Sequence, residues 1–178
     1  MVKHFQSNWS FRTMSLIFWL RDKVVPPLQV LNEVGIEPGY SVLDFGCGPG
    51  GFTIAAAKLV GTSGEVFAAD IHPLAIKKVK RKARRRKMDH VQTIHTDCET
   101  GIKSGTIDVV LFYDTFHSLD YPEKILAELH RVLKTGRIMS FSDHHLEEEE
   151  IIDSITGSGH FNLIRCTSET YIFKKCEK

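Results

Sequence analysis

The residues Asp44-Phe45-Gly46-Cys47-Gly48-Pro49-Gly50-Gly51 put a carboxylate at the mouth of a turn built mostly of glycine. Glycine accepts the tight backbone geometry, lets a ligand lie against the main chain, and leaves the amides of a following helix free to donate. Gly46, Gly48 and Gly51 satisfy G-x-G-x-x-G, the spacing of dinucleotide-binding turns. Asp44 argues against a dinucleotide, because a fixed carboxylate repels a pyrophosphate and attracts a ligand of positive charge. Asp70 follows at about the separation of a ribose-binding acid. Asp97 is a third acid at the end of an apolar run; it could accept from an adenine amino group or cap a helix, and the residues leave both readings open.

Two further stretches carry groups able to move protons. In Tyr113-Asp114-Thr115-Phe116-His117-Ser118, His117 could deprotonate a hydroxyl, a thiol or an activated carbon acid, or could simply pack or cap a helix. In Asp143-His144-His145, His144 could serve as a base or as part of an orienting pair. A metal site with Glu147 lacks any standard ligand spacing, so no metal is expected. The four cysteines, Cys47, Cys98, Cys166 and Cys176, form no C-x-x-C pair, which suits reduced thiols in a cytoplasmic protein.

Elements of the right type surround these residues. Apolar, β-branched runs at 41–45, 65–69, 91–95, 107–113 and 137–142 alternate with helix-length segments at 52–59, 74–87 and 122–133, and a shorter helical link is expected within 97–104. That alternation predicts a parallel sheet with helices on both faces, whose ligands bind beyond the carboxyl ends of its strands. After a helix at 147–155, runs at 161–166 and 170–174 are separated by too few residues for a parallel crossover. They must form an antiparallel hairpin at one edge of the sheet.

Taken in order, these stretches resemble the class I methyltransferases that use S-adenosylmethionine. Val42-Leu43-Asp44-Phe45-Gly46-Cys47-Gly48-Pro49-Gly50 is similar to their motif I, and Val66-Phe67-Ala68-Ala69-Asp70 to motif II. Asp97-Cys98 resembles the adenine-contacting acid and its neighbour, and Asp108-Val109-Val110-Leu111-Phe112-Tyr113-Asp114 resembles motif IV. Leu129-His130-Arg131-Val132-Leu133-Lys134-Thr135-Gly136-Arg137 resembles the helix and turn leading to strand five. The resemblance implies a Rossmann-like, doubly wound α/β fold with a seven-stranded, mostly parallel sheet of order 3-2-1-4-5-7-6, its last strand antiparallel. It also implies S-adenosylmethionine as cofactor and S-adenosylhomocysteine as product, with Asp44, Gly46, Cys47, Gly48, Asp70, Ile71, Asp97, Cys98 and Tyr113 at the cofactor. His117 and His144 remain the candidates for catalysis. The nearest subgroup contains the ubiquinone and menaquinone C-methyltransferases and many small-molecule enzymes. Thr135-Gly136 replaces that subgroup's usual Pro-Gly, and the long C-terminal extension of many quinone enzymes is missing, which counts against a quinone acceptor.

Neither an Asn/Asp-Pro-Pro-Tyr/Phe element nor a Pro-Cys follows the fourth strand, which disfavours methylation of nucleic-acid bases and favours a small-molecule acceptor. Two regions pull the other way. Residues 77–87 contain nine basic side chains and no acid, turning a net charge of +1 for the chain into −8 for the remainder. A face of that kind could grip RNA or an anionic membrane, or could merely be solvated, so an RNA or protein methyltransferase is the alternative reading. The first twenty residues hold Phe5, Trp9, Phe11, Phe18 and Trp19, and could form a lid over the cofactor or a contact in a homodimer. A cofactor-binding module without catalysis is a third reading. With 178 residues, no linker and no apolar run of the roughly 20 residues that a span needs, one domain is expected: a helical N-terminal flank at 1–38 and an α/β core at 39–178.

Overall fold

A computed structural model describes residues 25–177. The aromatic stretch within the first twenty residues therefore lies outside the described residues. In chain order the elements are α1 (Pro27–Val34), β1 (Ser41–Phe45), α2 (Gly51–Val60), β2 (Glu65–Asp70), α3 (Pro73–Arg85), β3 (Val91–His95) and β4 (Ile107–Tyr113). A single 3-10 turn (Phe116–Ser118) follows, then α4 (Pro122–Val132), β5 (Leu133–Ser142), α5 (Glu148–Thr156), β6 (Phe161–Cys166) and β7 (Tyr171–Lys175). The seven strands form one sheet of order β3-β2-β1-β4-β5-β7-β6. β1 to β5 pair in parallel, whereas β7 runs antiparallel to both β5 and β6. The expected order and the expected hairpin are both present.

β1 and β4 sit at the centre and are buried on both faces, mostly by apolar side chains, as strands covered on two sides must be. Alternate residues then go to alternate layers. Leu43, Phe45, Val110 and Phe112 pack with Ile125, Leu126 and Leu129 of α4 and Ile151 and Ile155 of α5. Val42, Val109 and Leu111 pack with Leu31 and Val34 of α1 and Ala55, Ala56, Ala57 and Val60 of α2. This alternation turns Asp44 towards the α2 layer.

Two expected elements are corrected. The link at 97–104 is not helical: Gly101 has φ +69°, a left-handed conformation that no α-helix contains, and Glu128 holds the segment open. Glu128 accepts from Thr100 N at 2.9 Å and Thr100 Oγ1 at 2.6 Å, while Arg131 donates to Glu128 and to Ile102 O at 2.8 Å. The fifth strand starts at Leu133 rather than 137, because Leu133 pairs with Ile107 before residues 134–137 bulge out and pairing resumes at Ile138 with Val109. Within the bulge, Lys134 and Arg137 both grip the buried Asp108, at 2.7 and 3.1 Å.

Burial alone would raise the Glu128 carboxyl, yet the bonds from Arg131 and Thr100 outweigh it and hold the group at about 2. A depressed folded value stabilises the fold at pH above the ordinary carboxylate range, and that contribution disappears only as pH falls towards 2. Glu128→Ala should therefore cost about 3 kcal/mol at neutral pH, since Arg131 and Thr100 lose their shared partner. Urea unfolding followed by circular dichroism measures this; an unchanged midpoint would remove the clamp as a source of stability.

Candidate active site

The carboxyl ends of β1, β2, β4 and β5 meet along one edge of the sheet, and the side chains singled out above gather there. Asp44 is only 3% exposed and accepts from Thr53 Oγ1 at 2.5 Å, with Thr53 itself buried in the first turn of α2. The amino end of that helix favours a negative charge. Even so, burial, with the nearby Asp70 adding to it, raises the Asp44 carboxyl from 3.8 to about 7. The turn therefore holds an acid poised to ionise when a positive charge arrives.

Gly46 and Cys47 donate their amides to Ala69 O at 2.9 and 3.0 Å, which fastens the turn to the end of β2. Gly48 N donates to Asp70 Oδ2 at 2.8 Å, and His72 N to Asp70 Oδ1 at 2.7 Å. Burial likewise raises the Asp70 carboxyl above its ordinary value. The Cys47 side chain lies beneath the turn with Ala68, Ala75 and Val79, and burial first, then Asp44 and Asp70, pushes its thiol well up. Its side chain is a packing group rather than a nucleophile, which leaves its backbone as the part a ligand could meet. Ile71, next to Asp70, is 44% exposed, unusual for so large an apolar side chain at the end of a buried strand.

The other sequence candidates are placed less uniformly. Asp97 is exposed on the loop after β3, where Thr96 Oγ1 bonds Glu99 O at 2.6 Å; with no helix there, its capping alternative falls away. Cys98 is half-buried, and burial raises its thiol. Tyr113 is buried with its ring against Phe52 and its hydroxyl donating to Ser140 Oγ at 2.7 Å, while its carbonyl accepts from Thr115 Oγ1 at 2.8 Å. Both of its polar groups thus have partners within the protein.

Beyond β4 the chain makes a sharp reversal. Asp114 adopts φ +47°, rare for a residue other than glycine, and Thr115 then folds against the glycine turn. The approach is so close that a Cβ built on Gly46 would lie 2.1 Å from Thr115 Oγ1, and Gly46 itself has φ +78°. Gly46→Ala should therefore displace the 114–118 loop and cost about 2–4 kcal/mol, combining left-handed strain with overpacking. Thermal melting checks this; a variant melting like the wild type would show that the turn and loop are not in contact.

Two histidine–carboxylate pairs cross between the ends of β4 and β5. His117 Nδ1 lies 2.9 and 3.0 Å from the two oxygens of Asp143, which also accepts from His117 N at 3.0 Å and His145 N at 3.1 Å. Reciprocally, His144 Nδ1 lies 2.6 Å from Asp114 Oδ1. An ionised carboxylate only accepts, so it places the proton on Nδ1 and leaves Nε2 as the basic nitrogen. The Asp143 side chain is fully buried and that of His117 is 32% exposed, an imidazole held by a fixed partner and still open to solvent. The pair at His144 is looser, its imidazole being 63% exposed. The rings of His117 and His145 stand 4.1 Å apart. Thr53, Thr115, Asp114 and Asp143 belong to this site although spacing alone does not mark them. Among the described residues, no group of three or more side chains could hold a metal ion.

Comparison with known proteins agrees with the geometry. A family model for a methyltransferase domain matches residues 36–171. A Staphylococcus aureus demethylmenaquinone methyltransferase is 32% identical over 111 residues, covering 61% of this chain and 44% of that protein. The chain thus aligns with less than half the length of that curated relative. A crystal structure of an S-adenosylmethionine-dependent methyltransferase from Aquifex aeolicus shares 25% identity and a TM-score of 0.76, covering 87% of this chain and 90% of its own. A Methanococcus maripaludis structure superimposes with a TM-score of 0.80 over 98% of this chain and 96% of its own, and at 14% identity it shows the fold alone. With the sheet order, the glycine turn and these matches in agreement, the chain belongs to the class I S-adenosylmethionine-dependent methyltransferase family.

Proposed function

We propose that the chain transfers the methyl group of S-adenosylmethionine to a small-molecule acceptor that gives up a proton, with His117 as the group that takes it. The observation that supports this is one loop touching both halves of the reaction: Thr115 packs on Gly46 of the glycine turn, and two residues later His117 is held by Asp143. When bound, the cofactor supplies a methyl group on a sulfonium, which leaves without acid assistance. What falls to the protein is positioning, worth about 7–11 kcal/mol when reacting groups are well aligned, and removal of the acceptor's proton.

In this reading the turn at Gly46, Cys47 and Gly48 offers backbone to the methionyl part, with the Asp44 carboxylate answering its positive charges. Asp70 suits the ribose hydroxyls, the exposed Ile71 gives an apolar face to the adenine, and Asp97 and Cys98 lie on the loop beside it. Tyr113 acts through its ring, by supporting Phe52 beside the turn. The acceptor's proton would pass to His117 Nε2 while the Nδ1 proton stays between His117 and Asp143, which would leave the acceptor atom free to take the methyl group as its bond to the sulfonium sulfur breaks. His144, more exposed and paired with Asp114, borders the same opening.

The curated relative's name points to demethylmenaquinone as that protein's acceptor, and supports a small-molecule acceptor here. No helix among the described residues is long and apolar enough to cross a membrane. Incubating the protein with methyl-labelled cofactor and fractionated cell extract tests the reading. Label should enter the low-molecular-weight fraction; label confined to RNA or protein would replace the small-molecule acceptor with a macromolecular one.

A further inference from the structure

Helix α3 buries only Ala75, Val79 and Ala83, three small residues spaced four apart that let it lie close on β2 and β3. Every turn after the first faces outwards with positive charge. Lys77, Lys80, Arg81, Arg84 and Arg85 are exposed, and Arg86 and Lys87 continue the run past the helix end. No acid occurs between Asp70 and Asp89, and none of these seven forms an ion pair with the described residues. Lys77 with Lys80, Lys77 with Arg81, Lys80 with Arg84, Arg81 with Arg84, and Arg81 with Arg85 all stand at i,i+3 or i,i+4, where like charges repel. Of the exposed cations on the helix, Arg84 and Arg85 lie in the last turn, with the half-buried Lys82, and gain from the helix dipole, whereas Lys77, Lys80 and Arg81 do not. A solvated face would be more stable with acids interspersed, and nothing in the packing of α3 prevents them.

We propose that the outer face of α3 is a docking surface for the phosphate backbone of a nucleic-acid strand. Ala75, Val79 and Ala83 are turned onto the sheet and the half-buried Leu74 and Ile76 pack against the same cluster, so beyond its first turn the outer face has no apolar side chain to insert into a lipid surface. The cations also do not lie in one plane. At about 100° per residue, Lys77, Arg81 and Arg84 form a ridge opposite the buried stripe, with Lys80 on one flank and Arg85 on the other. Such an arc follows a strand laid along the helix better than it meets a flat membrane. From Lys77 to Lys87 the cations span about 15 Å, roughly four to five nucleotides at about 3.4 Å each. β3 is the outermost strand on this side of the sheet, so among the described residues no further strand stands beyond α3.

Position separates this surface from the transfer site. α3 begins beside Asp70 at the carboxyl edge of the sheet and ends where β3 starts, at the opposite edge, about 20 Å away by helix length. A strand gripped at Arg84, Arg85, Arg86 and Lys87 is thus a docking partner rather than the methyl acceptor, and the inference stands apart from the acceptor proposed above.

Fluorescence anisotropy with a labelled mixed-sequence RNA, single-stranded and duplex, tests this on the full chain between 50 and 300 mM salt. The wild type should bind with a Kd of micromolar order at low salt and with a log–log salt slope of about −3 to −4 for single strands, as expected for about five phosphate contacts. The triple variant Arg81→Gln, Arg84→Gln, Arg85→Gln should bind at least about tenfold more weakly and reduce the slope by about 2, while cofactor binding, measured in parallel as the folding control, stays unchanged. Equal binding by variant and wild type, no RNA binding at low salt, or binding to vesicles of anionic phospholipid in preference to RNA would each overturn the proposal.

Discussion

At pH 7.5, Asp44→Asn is expected to weaken S-adenosylmethionine binding by about tenfold to a hundredfold, and at pH 5.5 to change it little. The difference follows from the raised carboxyl, which titrates at about 7 because it is buried and lies near Asp70. An ionised Asp44 answers the ligand's positive charges across a water-poor site, a contribution of about 1.5–3 kcal/mol. Below the titration range the wild-type carboxyl is already neutral and resembles the amide. Wild-type affinity should therefore rise about tenfold between pH 5.5 and 7.5, with proton release on binding detectable as a buffer-dependent enthalpy, and the variant should show neither.

Without ligand the sign is opposite. The folded carboxyl titrates above its unfolded value of 3.8, so folding stability is full below that value, declines as pH rises to about 7, and stays lower beyond. Asp44→Asn escapes the decline, because Thr53 Oγ1 can still donate to the amide oxygen. The unliganded variant should accordingly melt higher than the wild type at pH 8, by an amount of the order of 2–4 kcal/mol. A site that is destabilising when empty and strengthened by its ligand is the pattern of a binding residue. A variant that melts lower at pH 8 and binds the cofactor normally would assign Asp44 a structural role instead.

The second large effect concerns His117. Replacing it by asparagine should reduce kcat by about 10²–10⁴-fold while leaving cofactor affinity within about twofold, because proton removal belongs to the transfer step and the glycine turn is untouched. Asp143→Asn should reduce kcat by a comparable factor by a different route. The amide can donate where the carboxylate could only accept, which releases the Nδ1 proton and allows the wrong tautomer. Steady-state kinetics with the acceptor identified from the extract experiment checks both. Loss of activity in His144→Asn with none in His117→Asn would move the base to the Asp114–His144 pair.

Much of this architecture is legible in the residues because local and global preferences agree. β1, β3 and β4 begin and end where the apolar runs do, and they end at the edge where the glycine turn and the histidine pairs lie. The short spacing between the last two runs leaves the β6–β7 hairpin no other form. Failures occur where the deciding partner is distant in sequence. Nothing near residues 97–104 marks Glu128 and Arg131 as the groups that keep the segment from coiling. Leu133 belongs to β5 only because Ile107 stands beside it, a pairing invisible before the sheet order is known.

The site divides in the same way. Asp44, the glycines and Asp70 are recognisable as a linear pattern, because a turn and its flanking strand ends are local. The crossed pairs are not: His117 and Asp143 sit on separate stretches, and only the adjacency of β4 and β5 makes them partners. Thr53 carried a faint signal, a hydroxyl in the first turn of the helix that follows an acid-tipped strand. Thr115 carried none, since its contact with Gly46 depends on the left-handed turn at Asp114.

The most direct test of the account is a competitive binding measurement at the glycine turn, made at pH 7.5 with S-adenosylmethionine and NAD. One equivalent of S-adenosylmethionine per chain should bind at micromolar order, S-adenosylhomocysteine should displace it, and NAD at a hundredfold excess should not. Displacement by NAD, with S-adenosylmethionine failing to bind, would contradict the reading of Asp44 as the residue that selects a cationic nucleoside over a dinucleotide.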